Sequence, residues 1–352
     1  MKLAKPEKIL IVFLSGIGNF ILFSPTLRAI RSKFPEAEII LLAKQKVITD
    51  IIRDKSIVDH VIHYPKSASG IRNFTTQVPL ARALRGKKYD LVITTFEAQG
   101  WKLSTFVRMI GGKFSIGYRT GGWYDRCYNK LLTYDTGMHE VDRHLKIADF
   151  LGADVKDKTL EISVKEEDRK FAESIIPEDE HLIIGIHPGS SENLWRKRWM
   201  PERFAELADR LSERYGAKIL VLGGKDEINL AEKISALMKV AKPLLMAGKT
   251  TIGQAPALIE QCTLFISNDS GLMHMAAAVK TPVVAIFGPT DPAKNAPFGD
   301  GHSVVRKDIS CNPCTHYDKD VCNSPDCLSV ISVDDVMEAI ESKLAVLLLA
   351  NE

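Results

Sequence analysis

Residues 8–19 read Lys8-Ile9-Leu10-Ile11-Val12-Phe13-Leu14-Ser15-Gly16-Ile17-Gly18-Asn19. A short apolar run, ended by a glycine turn and followed by an amphipathic stretch carrying Arg28 and Arg31, reads as a buried strand over 8–14, a turn and a helix. A strand this uniformly apolar belongs to a parallel sheet covered on both faces. Lys2, Lys5 and Lys8 before it imitate a signal peptide. The imitation fails because the glycines break the apolar stretch and no small-x-small cleavage site follows. The stretch is also too short to cross a bilayer as a helix, and no other window approaches that length, so a cytoplasmic location is expected.

The same alternation continues outward. Further strands are expected at 37–43, 60–64, 89–95 and 113–117, with helices near 20–33, 75–85, 101–110 and 138–151. The rhythm resets around 152–180, at Gly152-Ala153-Asp154 and the charged segment 165–170. It then resumes with strands at 181–187, 217–222, 243–246, 263–267 and 282–287 and helices near 201–215, 225–239, 253–261 and 271–279. The fold class is α/β, with two Rossmann-like domains, 1–165 and 166–330, and a ligand crevice facing the carboxyl ends of the strands. A last helix over 333–349, within 331–352, is expected to pack back across the first domain. The length of 352 residues fits two domains at about 150 residues each. A content of 45% hydrophobic and 26% charged residues, with mean hydropathy −0.04, excludes disordered and membrane-spanning classes.

The net charge of +3 hides an asymmetry. Residues 1–165 hold 27 Lys and Arg against 16 Asp and Glu, whereas the remainder holds 20 against 28. A basic first half points to an anionic partner. Nucleic acid is disfavoured, because no aromatic-interleaved basic motif is present.

Five motifs carry chemistry. Gly16 and Gly18, between the first strand and helix, let the backbone approach a ligand at a helix N-terminus. A dinucleotide fingerprint fails there, since its third glycine is Ile21 and the second strand leads into Lys44-Gln45 without an acidic residue. His187-Pro188-Gly189-Ser190-Ser191, followed by Lys197-Arg198-Trp199, offers hydroxyls, N–H groups and positive charge to a phosphate. In Asn268-Asp269-Ser270-Gly271, Asp269 or Ser270 caps a helix whose N-terminus suits an anion, and His274 lies one turn further on. Phe287-Gly288-Pro289-Thr290 is a tight turn toward the same crevice. Cys311, Cys314, Cys322 and Cys327 can surround one Zn or Fe as a structural site, the other readings being reduced thiols or a redox disulfide.

In this order the motifs resemble glycosyltransferase family 9, the ADP-heptose:lipopolysaccharide heptosyltransferases. Leu22, Pro25, Leu27-Arg28, Phe34-Pro35, Ile116-Gly117-Tyr118 and the segment from His139 to Arg143 also fit. The resemblance implies the GT-B architecture, with the acceptor on the first domain and the nucleotide-sugar on the second. It implies inverting transfer of heptose from ADP-heptose to a lipopolysaccharide inner-core acceptor, an anionic lipid-linked saccharide at the inner face of the inner membrane. Gly16, Gly18 and Arg119 are then acceptor-side residues. Lys197, Gly189, Ser190, Ser191 and the N-terminus at Ser270-Gly271 stabilise the leaving diphosphate without a metal. Asp269 and His274 position the donor, and Asp226 or Glu227 holds its hydroxyls.

Family members usually carry Asp after the glycine of the first loop, as the proposed base. Here that residue is Asn19, whose amide cannot accept the proton. Glu97, beyond the strand at 89–95, is the first replacement candidate, and Asp125 and His139 are the next. Otherwise Asn19 only orients the acceptor and the proton leaves late to water, or the chain binds a sugar nucleotide without transferring it. A different donor sugar or acceptor is a further alternative.

Overall fold

β1 (Lys8–Phe13) lies at the centre of a parallel sheet, and Ile9 through Phe13 are fully buried. The structure is a computed structural model that describes residues 5–52, 57–65, 71–96, 100–176, 182–314 and 326–349. The chain divides into two compact units, Met1–Glu161 and Ile162–Glu352.

In the first unit β1 is followed by α1 (Ile17–Lys33), β2 (Glu38–Ala43), α2 (Ile48–Ile51), β3 (His60–His63), α3 (Ile71–Arg85) and β4 (Leu91–Thr94). Then come α4 (Trp101–Ile110), β5 (Phe114–Tyr118), β6 (Lys130–Leu132) and α5 (Glu140–Phe150). The strand order is β3-β2-β1-β4-β5-β6, all parallel. Side chains alternate across the sheet. Leu10 and Val12 share one core with Ala81 and Leu84 of α3 and Leu103, Phe106 and Val107 of α4. On the opposite face Phe13 meets Phe20 and Phe23 of α1, and Phe23 meets His144 of α5.

Pro25 sits inside α1, where it cannot donate to the carbonyl of Ile21. The Ser24 hydroxyl donates to that carbonyl instead, at 2.7 Å. The same hydroxyl accepts from the backbone N–H of Glu161 at 2.9 Å, and Arg28 pairs with Asp157 and Glu161. The end of the first unit is thereby strapped along its first helix.

The second unit runs α6 (Glu166–Ile175), β7 (Ile183–His187), α7 (Pro201–Tyr215), β8 (Lys218–Val221), α8 (Ile228–Leu237), β9 (Leu244–Leu245), α9 (Gln254–Glu260) and β10 (Leu264–Asn268). It continues with α10 (Gly271–Ala278), β11 (Val283–Ile286), α11 (Pro292–Asn295), β12 (Ser303–Val305), α12 (Asp326–Ser329) and α13 (Val333–Leu349). Its order, β12-β11-β10-β7-β8-β9, repeats that of the first sheet, again all parallel.

Two expectations change. The charged segment at 165–170 opens α6, where Glu166, Glu167 and Asp168 lie in the first turn and complement the helix dipole. Arg169 of α6 makes a two-pronged pair with Glu260 of α9, so this helix belongs to the second unit. The final helix, expected on the first domain, buries Val336, Met337, Ile340 and Leu344 in the core formed by Ile184, Ile186, Phe204 and Leu211 of the second. Each such aliphatic side chain contributes about 1.5–3 kcal/mol when fully buried.

Candidate functional site

In a sheet of this order, ligands bind beyond the carboxyl ends of the strands where the winding reverses. In the second unit that point lies between β7 and β10, the first and fourth strands of its sheet. His187 ends β7, Glu227 follows β8, and Ser270 follows β10. His187 is 2% exposed and bridges the other two. Its Nε2 lies 3.0 Å from Glu227 Oε2, and its Nδ1 lies 2.8 Å from Ser270 Oγ.

Glu227 is the most constrained group of the site. Its Oε2 also accepts from the backbone N–H of Gly224 at 2.7 Å, and Arg198 stands 4.0 Å from its Oε1. Burial alone pushes this carboxyl up, but the hydrogen bonds from His187 and the Gly224 N–H and the charge of Arg198 outweigh it, so its pKa lies below the ordinary value. Gly189 is required by this carboxylate: a Cβ at 189 would overlap Oε1 and Cδ outright and stand 2.8 Å from Oε2.

Lys197 and Asp269, expected to serve diphosphate and donor, also hold each other, with Nζ 2.7 Å from Oδ2 and both side chains largely buried. Asn268, fully buried, ties the loops together. Its amide donates to the carbonyl of Pro188 at 2.7 Å, and its carbonyl accepts from the N–H of Trp199 at 3.0 Å. Ser190 donates to the Leu194 carbonyl and accepts from Arg198 Nε, so it shapes its own loop. Ser191 and Asp226 are exposed. Ser270 caps α10, its hydroxyl accepting from Met273 N–H, so Gly271 begins that helix and His274 lies buried one turn along it. The helix N-terminus and the Lys197 charge thus stand beside two carboxylates, Asp269 and Glu227, and the His187 bridge, an arrangement suited to an anion with attached hydroxyls.

In the first unit Gly16 is the N-cap of α1, so Gly18 and Asn19 lie in the first helical turn. The Asn19 amide donates to Ser15 Oγ at 2.6 Å. Beyond β4 and β5 an open pocket of ≈ 470 Å³ is lined by Phe96, Gly100, Arg119, Thr120, Tyr124 and Tyr134. Phe96 stacks on Tyr134 at 3.4 Å between ring centroids, and the Arg143 guanidinium lies 4.3 Å from the Tyr134 ring. Glu140 accepts from Tyr134 OH at 2.9 Å and pairs with Arg143 at 2.8 Å. The sequence marked the segment from His139 to Arg143 without showing that it braces this aromatic wall.

Both secondary base candidates have local duties. Asp125 accepts from Thr120 and Gly121. Slight burial raises its pKa, but these hydrogen bonds outweigh it and hold it below the usual carboxylate value. His139 caps α5, its Nδ1 accepting from Val141 N–H. Glu97 lies outside the described residues, and so does Cys322. Cys311 is exposed, Cys314 half-buried and Cys327 buried. Among the described residues no three His, Cys, Asp or Glu side chains gather to hold a metal. Two of the cysteines do meet one turn: Cys314 N–H donates to the Pro289 carbonyl at 2.7 Å, and Cys327 Sγ would lie 3.2 Å from a Cβ on Gly288.

The sequence model of glycosyltransferase family 9 (heptosyltransferase) matches residues 78–323, well over half of the chain. Lipopolysaccharide heptosyltransferase 3 of Escherichia coli K12 is 26% identical over 336 residues, covering 93% of this chain and 95% of its own. Among solved structures, a glycosyl transferase family 9 protein from Veillonella parvula superposes with TM-score 0.81 at 26% identity, covering 98% of this chain and 99% of that one. The E. coli ADP-heptose lps heptosyltransferase II superposes at 0.76 and 22% identity over 98% and 100% of the two chains. The GT-B-like architecture expected from the sequence is thus borne out by two doubly wound units and by these structures. The chain belongs to glycosyltransferase family 9, the heptosyltransferase family.

Proposed function

We propose that this chain is an inverting glycosyltransferase that moves heptose from ADP-heptose to the inner core of a lipopolysaccharide or lipooligosaccharide. The observation that carries the reading is the strand-end site of the second unit in a member of this family: Lys197, the N-terminus of α10, Asp269 and Glu227 converge at its switch point. The acceptor hydroxyl attacks the anomeric carbon as the bond to ADP breaks on the opposite side. The α10 N-terminus and Lys197 stabilise the charge developing on the diphosphate, where electrostatic preorganisation counts most. Asp269, held by Lys197, orients the sugar, and Glu227 accepts from donor hydroxyls.

On the first unit the aromatic wall of Phe96, Tyr124 and Tyr134 with the Arg119 charge suits a saccharide bearing phosphate or carboxylate. Glu97 serves as the base in place of the family's Asp. Among the described residues no helix is long and apolar enough to cross a membrane. The basic first half brings the enzyme to the anionic cytoplasmic face of the inner membrane, each Lys or Arg near that surface contributing about 1 kcal/mol. Cys311, Cys314, Cys322 and Cys327 would hold a structural Zn or Fe once the ion draws their thiolates together, since among the described residues Cys311, Cys314 and Cys327 do not gather without it; four thiolates suit either ion.

The test is to offer the protein ADP-heptose with heptose-deficient lipopolysaccharide, and to follow both ADP release and the mass of the glycan. A product one heptose heavier supports the reading, and turnover only with another nucleotide-sugar replaces the donor. A second reading is favoured by Asn19, whose amide is engaged by Ser15 where the family carries a carboxylate. In it the chain binds the sugar nucleotide and transfers little, and tight ADP-heptose binding without any product selects it.

A further inference from the structure

We propose that His187 is a positioning residue of the second unit's site, and that it takes up a proton when the donor diphosphate binds, turning the Ser270 hydroxyl outward onto a phosphate oxygen. This rests on the donor-site reading above. The ring is buried, and each nitrogen has its own partner, Glu227 Oε2 at 3.0 Å and Ser270 Oγ at 2.8 Å. An ionised carboxylate only accepts, so Nε2 carries a hydrogen in either state of the ring. With a neutral ring Nδ1 must then accept. Ser267 Oγ lies 3.5 Å from Nδ1 and 3.0 Å from Ser270 Oγ, and with its own hydrogen directed to the Asn268 carbonyl at 2.7 Å it leaves the Ser270 hydroxyl to donate inward, to Nδ1 at 2.8 Å or to Ser267 Oγ. Its hydrogen therefore points inward, away from the mouth of α10.

A proton from solvent landing on Nδ1 reverses that bond. Nδ1–H now donates to Ser270 Oγ, which also accepts from Met273 N–H. The hydroxyl hydrogen is released from Nδ1 and goes to Ser267 Oγ, 3.0 Å away, when no anion is bound, or to the stronger acceptor when an anion sits at the helix N-terminus, adding one donor to the backbone N–H groups already there. The charges facing the ring are Glu227, with Arg198 4.0 Å from its Oε1, and the Lys197–Asp269 pair next to Ser270. His274 follows one turn along α10. The two carboxylates and two cations balance, so an arriving diphosphate leaves the site short of positive charge, and the imidazolium restores it. By linkage, a ligand that favours the protonated ring binds more tightly as pH falls.

Calorimetry of ADP-heptose binding without acceptor, in buffers of different ionisation enthalpy, counts the protons taken up. The sugar nucleotide is suitable because its diphosphate diester has no group titrating near neutrality. The wild type is expected to take up a fraction of a proton approaching one, with affinity rising by up to about tenfold per pH unit as pH falls. His187→Gln, which cannot titrate, is expected to show no uptake, a flat affinity profile and a raised donor KM with a smaller change in kcat. Should that variant fold poorly, nitrogen NMR of the wild-type imidazole decides: one ring nitrogen protonated in the free protein and both in the complex supports the proposal, and the same protonation in both states overturns it. Equal proton uptake by wild type and His187→Gln overturns the proposal while leaving the donor site intact. Absence of ADP-heptose binding to the wild type overturns the donor-site reading and this proposal with it.

Discussion

Replacing Gly189 by Ala places a methyl group where the Glu227 carboxylate lies. The Cβ would overlap Oε1 and Cδ and stand 2.8 Å from Oε2, whereas ordinary contact begins at 3.4 Å. The carboxylate must withdraw by more than about 1 Å. That carries Oε2 out of reach of both His187 Nε2, now at 3.0 Å, and Gly224 N–H, now at 2.7 Å. Hydrogen bonds to a charged group are worth about 1.5–3 kcal/mol each. Partial re-solvation of the displaced carboxylate returns some of that, so the net loss is roughly 2–4 kcal/mol. At about 2–4 °C per kcal/mol for a unit of this size, Tm falls by roughly 5–15 °C. Thermal unfolding of a double-mutant cycle with Glu227→Ala isolates the cause. Once the carboxylate is gone the methyl group's three nearest neighbours are removed, and Gly189→Ala should then cost little. If the two substitutions add to within about 0.5 kcal/mol, the steric account is wrong.

Lys197→Ala should lower kcat about 10²-fold or more by removing charge opposite the leaving diphosphate, and the buried Asp269 left unpaired should cost about 3–5 kcal/mol of stability. The double variant Lys197→Met with Asp269→Leu should recover Tm without recovering turnover, and an unchanged kcat in Lys197→Ala refutes the assignment. Glu97→Gln should depress kcat while ADP binding persists, and Asn19→Asp should preserve or raise activity. A normal rate in the first with a large gain in the second identifies a chain that lost its base. Elemental analysis of chelator-free protein should find close to one Zn or Fe per chain, and far less than one rejects the four-cysteine site. Asp335 caps α13 with Ser332, and the hydrogen bond from Lys307 chiefly holds its pKa down to about 2. A depressed carboxylate contributes stability above its unfolded value of 3.8 and loses it as pH falls through about 2. Asp335→Asn should therefore flatten the acid limb of the stability profile between about pH 4 and 2, and an unchanged limb shows the cap to be irrelevant.

The strands visible in the sequence are those whose Ile, Val and Leu run unbroken, because burial on both faces admits nothing else. β6 and β12 escaped because each is a three-residue edge strand, Lys130-Leu131-Leu132 and Ser303-Val304-Val305, too short to show a period. Helix α6 escaped because its charged opening looked like a linker, although acidic residues at that end suit a helix. The phosphate-type turns at Gly189 and Ser270 were legible from their small residues beside apolar strands. The role of His187 was not: its partners lie 40 and 83 positions away, and only the winding of the sheet brings them together. Glu227 stood out as a donor ligand, while the need for Gly189 beside it appears only when the carboxylate is in place.

The seating of α13 sets an order of events as the chain leaves the ribosome. Every strand of the first sheet, and the strap along α1, is available once residue 161 has emerged. The second core still lacks Val336, Met337, Ile340 and Leu344 at that moment. Those residues follow roughly 180 positions later, or about 10–40 s at translation rates of roughly 5–20 residues per second. Through that interval the nascent first unit must hold its own structure, while β7, β8 and α7 wait with an uncovered apolar face. A chaperone that recognises exposed Ile and Leu therefore meets this protein late in synthesis, on its second half.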